Sequence, residues 1–348
     1  MTGTHPAGPK PYNVVIVTLD AHAAGPAARI APALSSAFPG ITVTIYAAAE
    51  WAENPSSLAA TKAAVAKADM IIANMLFIEE HVNAILPDLT AARDRVDAMI
   101  CLIADTQVTK LTKMGAQDMS KPASPLMALL KKLKPKKGTS ASSGERQMSM
   151  LRRIPKILRF IPGKSQDLRA WFLSMQYWLG GSDDNMEQML RYLMGRYASR
   201  TEWRGIVANA PIDCAEVAMY HPDLPNRIIT NLADLPRPVD AKVTAGLLML
   251  RSYVLASDTA HYDAVIRGFE ARGIACVPAF AGGLDGRLAI TAFFQNANGV
   301  TVDAMVSLTG FSLVGGPAYN DSDAAVAALV ALDVPYIAAH PLEFQTRG

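Results

Sequence analysis

Apolar positions along the chain fall into two alternating rhythms. Short, nearly unbroken apolar runs start at residues 14, 42, 70 and 98, 28 residues apart each time, and cover 14–19, 42–46, 70–76 and 98–103. Between them, apolar residues recur every three or four positions: Ile30, Leu34 and Phe38; Leu58, Thr61, Val65 and Ala68; Val82, Ile85, Leu86 and Leu89. A continuous apolar run of that length fits a strand buried on both faces, and the longer period fits an amphipathic helix. Strand and helix in strict alternation predict parallel strands joined by right-handed crossovers. Residues 13–118 are therefore expected to form a doubly wound domain.

The same rhythm returns over 241–348, with strand candidates starting at residues 245, 275, 304 and 334. After the strand ending at Leu250, Ser257 or Asp258 is placed to cap a helix whose inner face carries Tyr262, Val265, Ile266 and Phe269, and Gly273 ends it. Val326, Leu329 and Val330 mark the last helix. All strands of this half are expected to be parallel.

Between the two repeats the pattern changes. Residues 119–166 read as a basic flexible linker. Residues 167–200 read as a helical hairpin, with Leu168, Trp171, Phe172, Met175 and Leu179 on one stripe, and Met186, Met189, Leu190, Leu193 and Tyr197 on another. Asp183 or Asp184 is placed to cap its second helix. Stripes of methionine and aromatic residues at this spacing are read as core, although they also suit a tetrapyrrole. Residues 201–240 read as an irregular connector, with Ile228–Thr230 as one possible short strand, and 1–12 as a mobile tail. The expected fold is α/β: two Rossmann-like or flavodoxin-like parallel-sheet units joined by a helical, basic connecting segment.

Composition changes this picture in one place. The formal charge of the whole chain is only +2, but residues 121–169 hold 13 Lys or Arg against Glu145 and Asp167. The rest of the chain is correspondingly acidic. Within the basic stretch, LRRIPKILRFIPGK interleaves cations with apolar residues. It reads either as a surface for an acidic partner or an anionic membrane face, or as a solvated linker resting on a domain.

Several chemistries are excluded. Gly163-Lys164-Ser165 resembles the end of a P-loop, but the required earlier glycine is Leu158. No G-x-G-x-x-G follows the first strand, and no H-E-x-x-H or C-x-x-C occurs. The three cysteines, Cys101, Cys214 and Cys276, are far apart and read as reduced thiols. No signal-peptide core opens the chain, and no apolar run is long enough to span a bilayer. Nothing suggests nucleic-acid binding.

Candidate ligand contacts lie where strands end. Asp20 and His22 follow the first strand, and His221 lies in the connector, where it reads as exposed or structural. In the second half, four strand ends would gather Arg251, Tyr253, Asp258, Thr259 and His261, then Phe280 and Gly282, then Thr309, Phe311, Gly315 and Gly316, then His340, Glu343 and Gln345. Such an edge could hold an anionic group against Arg251 and backbone N–H groups, with aromatic faces for a ring. It could equally be a set of structural pairs and turns. No residue can be assigned a catalytic role or a metal.

SYVLASDTAHYDAVIRGFEARG, VSLTGFSLVGGPAYND and VPYIAAHPLEFQT resemble the large H subunit of magnesium chelatase, and less closely that of cobalt chelatase. The likeness runs from VVIVTLDAH through AEVAMYHPD to the end. It implies a porphyrin-binding role in ATP-dependent insertion of Mg²⁺ into protoporphyrin IX, on the path to (bacterio)chlorophyll. Mg²⁺ and ATP would be substrates of the complex, with ATP bound by a partner. The implied partners are an AAA+ ATPase subunit and an integrin-like/AAA+ subunit, in the cytoplasm or peripheral to the photosynthetic membrane through residues 121–169. The family's large polypeptide is several times longer, so the likeness is expected to cover its N-terminal portion, and this chain alone is expected to be inactive. The alternatives are a non-catalytic tetrapyrrole-binding or docking module, and a cobalt chelatase relative.

Overall fold

The computed structural model describes residues 10–19, 21–122, 153–282, 285–310, 312–316 and 319–339. Most of the expected tail and much of the basic linker lie outside these residues. The chain divides into two compact units, Met1–Asp213 and Cys214–Gly348.

In the first unit the order is β1 (Tyr12–Thr18), α1 (Ala24–Ala37), β2 (Ile41–Ala47), α2 (Pro55–Val65), β3 (Met70–Asn74), α3 (Glu79–Ala92) and β4 (Ala98–Leu102). The four strands are parallel in the spatial order β2-β1-β3-β4, the doubly wound arrangement that the 28-residue period predicts. Two short antiparallel strands, β5 (Lys113–Met114) and β6 (Gln117–Asp118), extend the β4 edge.

Successive strand residues serve two cores. Val14, Ile16, Met70, Ile72 and Ile100 pack with Ile30 and Leu34 of α1. Val15, Val17, Ile71, Ala73 and Met99 pack with Val65, Ile85 and Leu89 of α2 and α3. Burying each such Val, Leu or Ile contributes about 1.5–3 kcal/mol before ordering costs are counted, which is why unbroken apolar strands are sustained here.

The helical hairpin forms as α4 (Ser165–Gly180) and α5 (Asp183–Tyr197). Gly181 closes α4 in the left-handed conformation, with φ 62°. The cap of α5 is Ser182 rather than an aspartate: its Oγ accepts from Asn185 N at 3.3 Å. Asp183 instead pairs with Arg29 of α1 at 2.6 Å. The hairpin is not a free connector. Met186, Met189, Leu190, Leu193 and Tyr177 belong to the same core as Val14 and Ile16. Met175 and Leu179 of the first stripe and all of the second join this core, whereas Leu168 and Phe172 of the first pack with Ile154 and Leu158.

In the second unit β7 (Val217–Tyr220) and β8 (Ile228–Ile229) precede β9 (Val243–Leu250), α6 (Ala260–Glu270), β10 (Ile274–Ala281), β11 (Ala304–Ser307), α7 (Ser322–Leu332) and β12 (Tyr336–Ala338). The sheet order is β12-β11-β9-β10-β7-β8. The expectation of an all-parallel sheet is corrected at one edge: β7 runs antiparallel to β10, and β8 antiparallel to β7. These strands lie within the stretch read as an irregular connector. The second falls on the possible short strand Ile228–Thr230; the first, four residues long, is too short to show a period.

Two local expectations also change. Neither Ser257 nor Asp258 caps α6; the capping position falls on Thr259, whose side chain makes no cap bond, and Ser257 takes φ 53°. On α7, Val326 and Val330 are 58% and 71% exposed, while Ala325, Ala328 and Leu332 pack inward. The sequence SDAAVAALVAL is apolar almost all round, so no polar stripe fixed which side faces the core.

Candidate functional site

Open α/β sheets bind ligands outside the carboxyl ends of the strands, at the point where strand order reverses. In the second unit that point lies between β9 and β11. A shallow cleft with about 20 Å³ of free space opens there, lined by Leu248, Met249, Leu250, Ala281, Asp285, Gly286, Thr309, Ser312, Leu313 and Gly315. That is room for about one water, so only the edge of a larger ligand would rest at its mouth.

The walls are tied together by backbone. Gly286 N donates to Leu313 O at 2.9 Å, and Asp285 bridges to Val314. The space beside Gly286 is already filled: a Cβ there would stand 2.6 Å from Leu248 Cδ2. Polar groups are few and held. Asp285 accepts from Arg287 N, Nε and Nη2 at 3.1, 2.9 and 2.6 Å. Thr309 Oγ1 lies 3.0 Å from Ser307 Oγ, and Ser312 Oγ donates to Asn320 Oδ1 at 2.7 Å. An apolar floor with hydroxyls and a neutralised carboxylate at the rim suits a largely apolar ligand with polar edges. Among the described residues no three His, Cys, Asp or Glu side chains cluster to hold a metal ion.

The residues expected at this edge divide. Thr309 and Gly315 line the cleft. Arg251 opens a short helix, Arg251–Leu255, and turns to its own unit's backbone: Nε donates to Ala215 O at 2.8 Å and Nη2 to Cys214 O at 3.1 Å, with Glu216 at 3.8 Å. Thr259 is buried under Tyr220, whose hydroxyl donates to it at 2.8 Å. Tyr253 is buried, with its ring edge-on to His261 at 5.4 Å, and His261 also leans on Tyr262 at 3.9 Å. Burial against these rings lowers the His261 pKa, against the opposing pull of Asp258 and Asp263. Asp258 is exposed. Gly316 pairs with Tyr319 in a two-residue ribbon. Phe280 is buried in the core. Phe311, His340, Glu343 and Gln345 lie outside the described residues.

His221 is fully buried rather than exposed. Its Nε2 is 3.0 Å from Glu270 Oε1, and Asp223 N donates to Nδ1 at 3.3 Å, so the proton is assigned to Nε2. Asp285 and Ser312 were missed. The signal for Asp285 was present: Leu284-Asp285-Gly286-Arg287 follows a strand and reads as a turn that positions a carboxylate.

The equivalent point of the first sheet lies between β1 and β3. The hairpin roofs it. Trp178 Nε1 donates to the Asn74 amide oxygen at 2.7 Å once that amide is oriented to give its nitrogen to Leu102 O, and Trp171 Nε1 donates to Cys101 O at 2.9 Å. A small pocket beneath is lined by His22, Ala23, Tyr177, Trp178, Gly181, Met186 and Met189. His22 is therefore half-buried under the hairpin, and Asp20 lies outside the described residues.

Two units, each built on a mostly parallel six-stranded sheet, define a protein of the doubly wound α/β class. Comparison with known proteins places it further. Residues 175–348 match the CobN/Magnesium Chelatase family, and residues 13–172 match a domain of unknown function, DUF3479. The chain belongs to the CobN/magnesium chelatase family. It is 68% identical over 343 residues to the magnesium-chelatase H subunit of Cereibacter sphaeroides, covering 99% of this chain and 29% of that protein. It is 63% identical to the magnesium-chelatase H subunit of Rhodobacter capsulatus, covering 100% of this chain and 29% of that protein. It is 35% identical to the chloroplastic magnesium-chelatase ChlH protein of Oryza sativa subsp. indica, covering 81% of this chain and 21% of that protein. The catalytic subunit of cobaltochelatase from Mycobacterium tuberculosis aligns with 95% of this chain and 21% of its own, at 14% identity and a TM-score of 0.44. The chain thus spans under a third of the length of the curated relatives it matches.

Proposed function

We propose that this chain forms part of the porphyrin-binding H subunit of a magnesium chelatase, which inserts Mg²⁺ into protoporphyrin IX in (bacterio)chlorophyll synthesis. The observation that carries this reading is 68% and 63% identity to two magnesium-chelatase H subunits across essentially the whole chain. The cleft at the β9–β11 switch point, with Thr309, Ser312 and Gly315, is the part proposed to meet the tetrapyrrole rim. Arg251 and Thr259 hold its surroundings in place.

Insertion of Mg²⁺ needs two pyrrole protons removed and a tightly held hydration shell stripped, which makes coupling to ATP chemically reasonable. The sequence carries no P-loop, so the reading assigns ATP to an AAA+ partner subunit, with an integrin-like subunit completing the complex. A cytoplasmic setting suits the family. No helix among the described residues is long and apolar enough to cross a membrane.

Complementation in trans tests the proposal. The chain with the two partner subunits, Mg²⁺, ATP and protoporphyrin should form no Mg-porphyrin. Adding the remainder of an H subunit should restore formation, read by the fluorescence of the metallated ring. Steady product without the remainder, or none with it when both pieces are folded, would remove the reading.

A further inference from the structure

We propose that the turn over residues 153–164 is a docking knob for an anionic lipid surface. Residues 153–158 form a short helix whose Ile154 and Leu158 are 4% and 1% exposed, packed on Leu168 and Phe172 of α4. The opposite side of the same turn is apolar and bare. Ile157 is 58% exposed, Phe160 83% and Ile161 36%. Arg153, Lys156, Arg159 and Lys164 are exposed beside them. Residues 153–166 contain no acidic residue, and no ion pair forms to these four cations among the described residues.

The exposure of Phe160 is built in. Gln166 Nε2 donates to Leu158 O at 2.8 Å and to Ile161 O at 2.6 Å, and Arg169 Nε donates to Pro155 O at 3.1 Å. These bonds hold the turn from both sides and keep the aromatic ring off the protein. Three apolar tips ringed by cations match a bilayer interface, where the tips enter the acyl boundary and the cations meet phosphate. An acidic peptide would instead need a concave seat, and these side chains line none of the clefts described above.

Vesicle flotation with the full chain tests this. Vesicles are phosphatidylcholine alone, or with phosphatidylglycerol as about a third of the lipid. The chain should float only with the anionic vesicles, and less as salt rises. The double variant Ile157→Ser, Phe160→Ser should bind about tenfold more weakly. Lys156→Ala and Arg159→Ala should each cost about fivefold. Because the altered side chains are exposed, the urea unfolding midpoint should not move. As a positive readout, Phe160→Trp should shift its emission to the blue on anionic vesicles. Equal binding to neutral vesicles, binding unchanged by the serine pair, an unshifted tryptophan, or capture by polyglutamate with none by vesicles would each overturn the proposal.

Discussion

Asp167 is the test of whether the hairpin is a built part of the first unit. Its carboxylate is 12% exposed and accepts from Tyr197 Oη at 2.8 Å, Ala116 N at 2.8 Å and Arg196 Nη2 at 2.9 Å. One side chain thereby joins α4, α5 and the β5–β6 turn. In Asp167→Ala, Tyr197 and Ala116 each lose a charged acceptor, about 1.5 kcal/mol apiece. Arg196 is 37% exposed, so water takes over much of its partner's role and the pair adds less than about 1 kcal/mol. The expected loss is about 3–4 kcal/mol. Gly115 supplies a second arm. It sits at φ 56°, and a Cβ there would stand 2.6 Å from Asp167 Oδ2. Gly115→Ala should cost about 1–3 kcal/mol from backbone strain, plus the clash. With alanine at 167 the clash disappears, so the double variant should be less damaged than the sum, by about 1 kcal/mol or more. All four tryptophans, Trp51, Trp171, Trp178 and Trp203, lie in the first unit, so urea unfolding read by tryptophan fluorescence reports that unit selectively. A loss below about 1 kcal/mol for Asp167→Ala, or strict additivity in the cycle, would refute the reasoning.

Other consequences follow from the same contacts. Asp118 is held down to about 2: burial opposes this as the largest single effect, but hydrogen bonds from Ser120 and the Arg93 guanidinium together outweigh it. Since that lies below the unfolded carboxyl, its contribution of about 2 kcal/mol is complete above about pH 4 and fades as pH falls toward 2, and Asp118→Asn should flatten this part of the pH–stability curve. Burial pushes the Cys101 and Cys276 thiols up to about 12, whereas Cys214 is partly exposed. A thiol reagent should therefore titrate one cysteine in the native protein and three in denaturant. Arg251→Lys should lower the stability of the second unit by about 1–2 kcal/mol, because a lysine cannot reproduce the fork to Ala215 and Cys214 carbonyls; unchanged stability with weakened porphyrin binding would instead make Arg251 a ligand contact. Gly286→Ala should distort the cleft at about 1–3 kcal/mol and weaken porphyrin binding, read by titration of ring fluorescence.

The fold was legible wherever burial on two faces left an unbroken apolar run. All eight parallel strands lie on or beside such a run, and the helices between them follow the apolar stripes. It was not legible at β7, which is too short for a period, nor in the phase of α7, which has no polar side; β8 answers to the possible short strand read at Ile228–Thr230. The site was half legible. Thr309 and Gly315 were expected at a strand-end edge, and they line the candidate cleft there. Arg251 and Thr259 were placed at the right edge, but which way a side chain turns depends on carbonyls and hydroxyls from residues 214–220, and no local pattern announces those. The reverse holds for His221, where a loop sequence concealed a fully buried imidazole braced by Glu270 forty-nine positions on.

The claim that this chain works within a magnesium chelatase is tested most directly by exchange. The matching segment of the Cereibacter sphaeroides H subunit, 29% of its length, is replaced by this chain, and Mg-protoporphyrin formation is followed with the partner subunits, Mg²⁺ and ATP. The account predicts ATP-dependent metallation within about tenfold of the parent rate. A folded chimera that inserts no Mg²⁺ would contradict it.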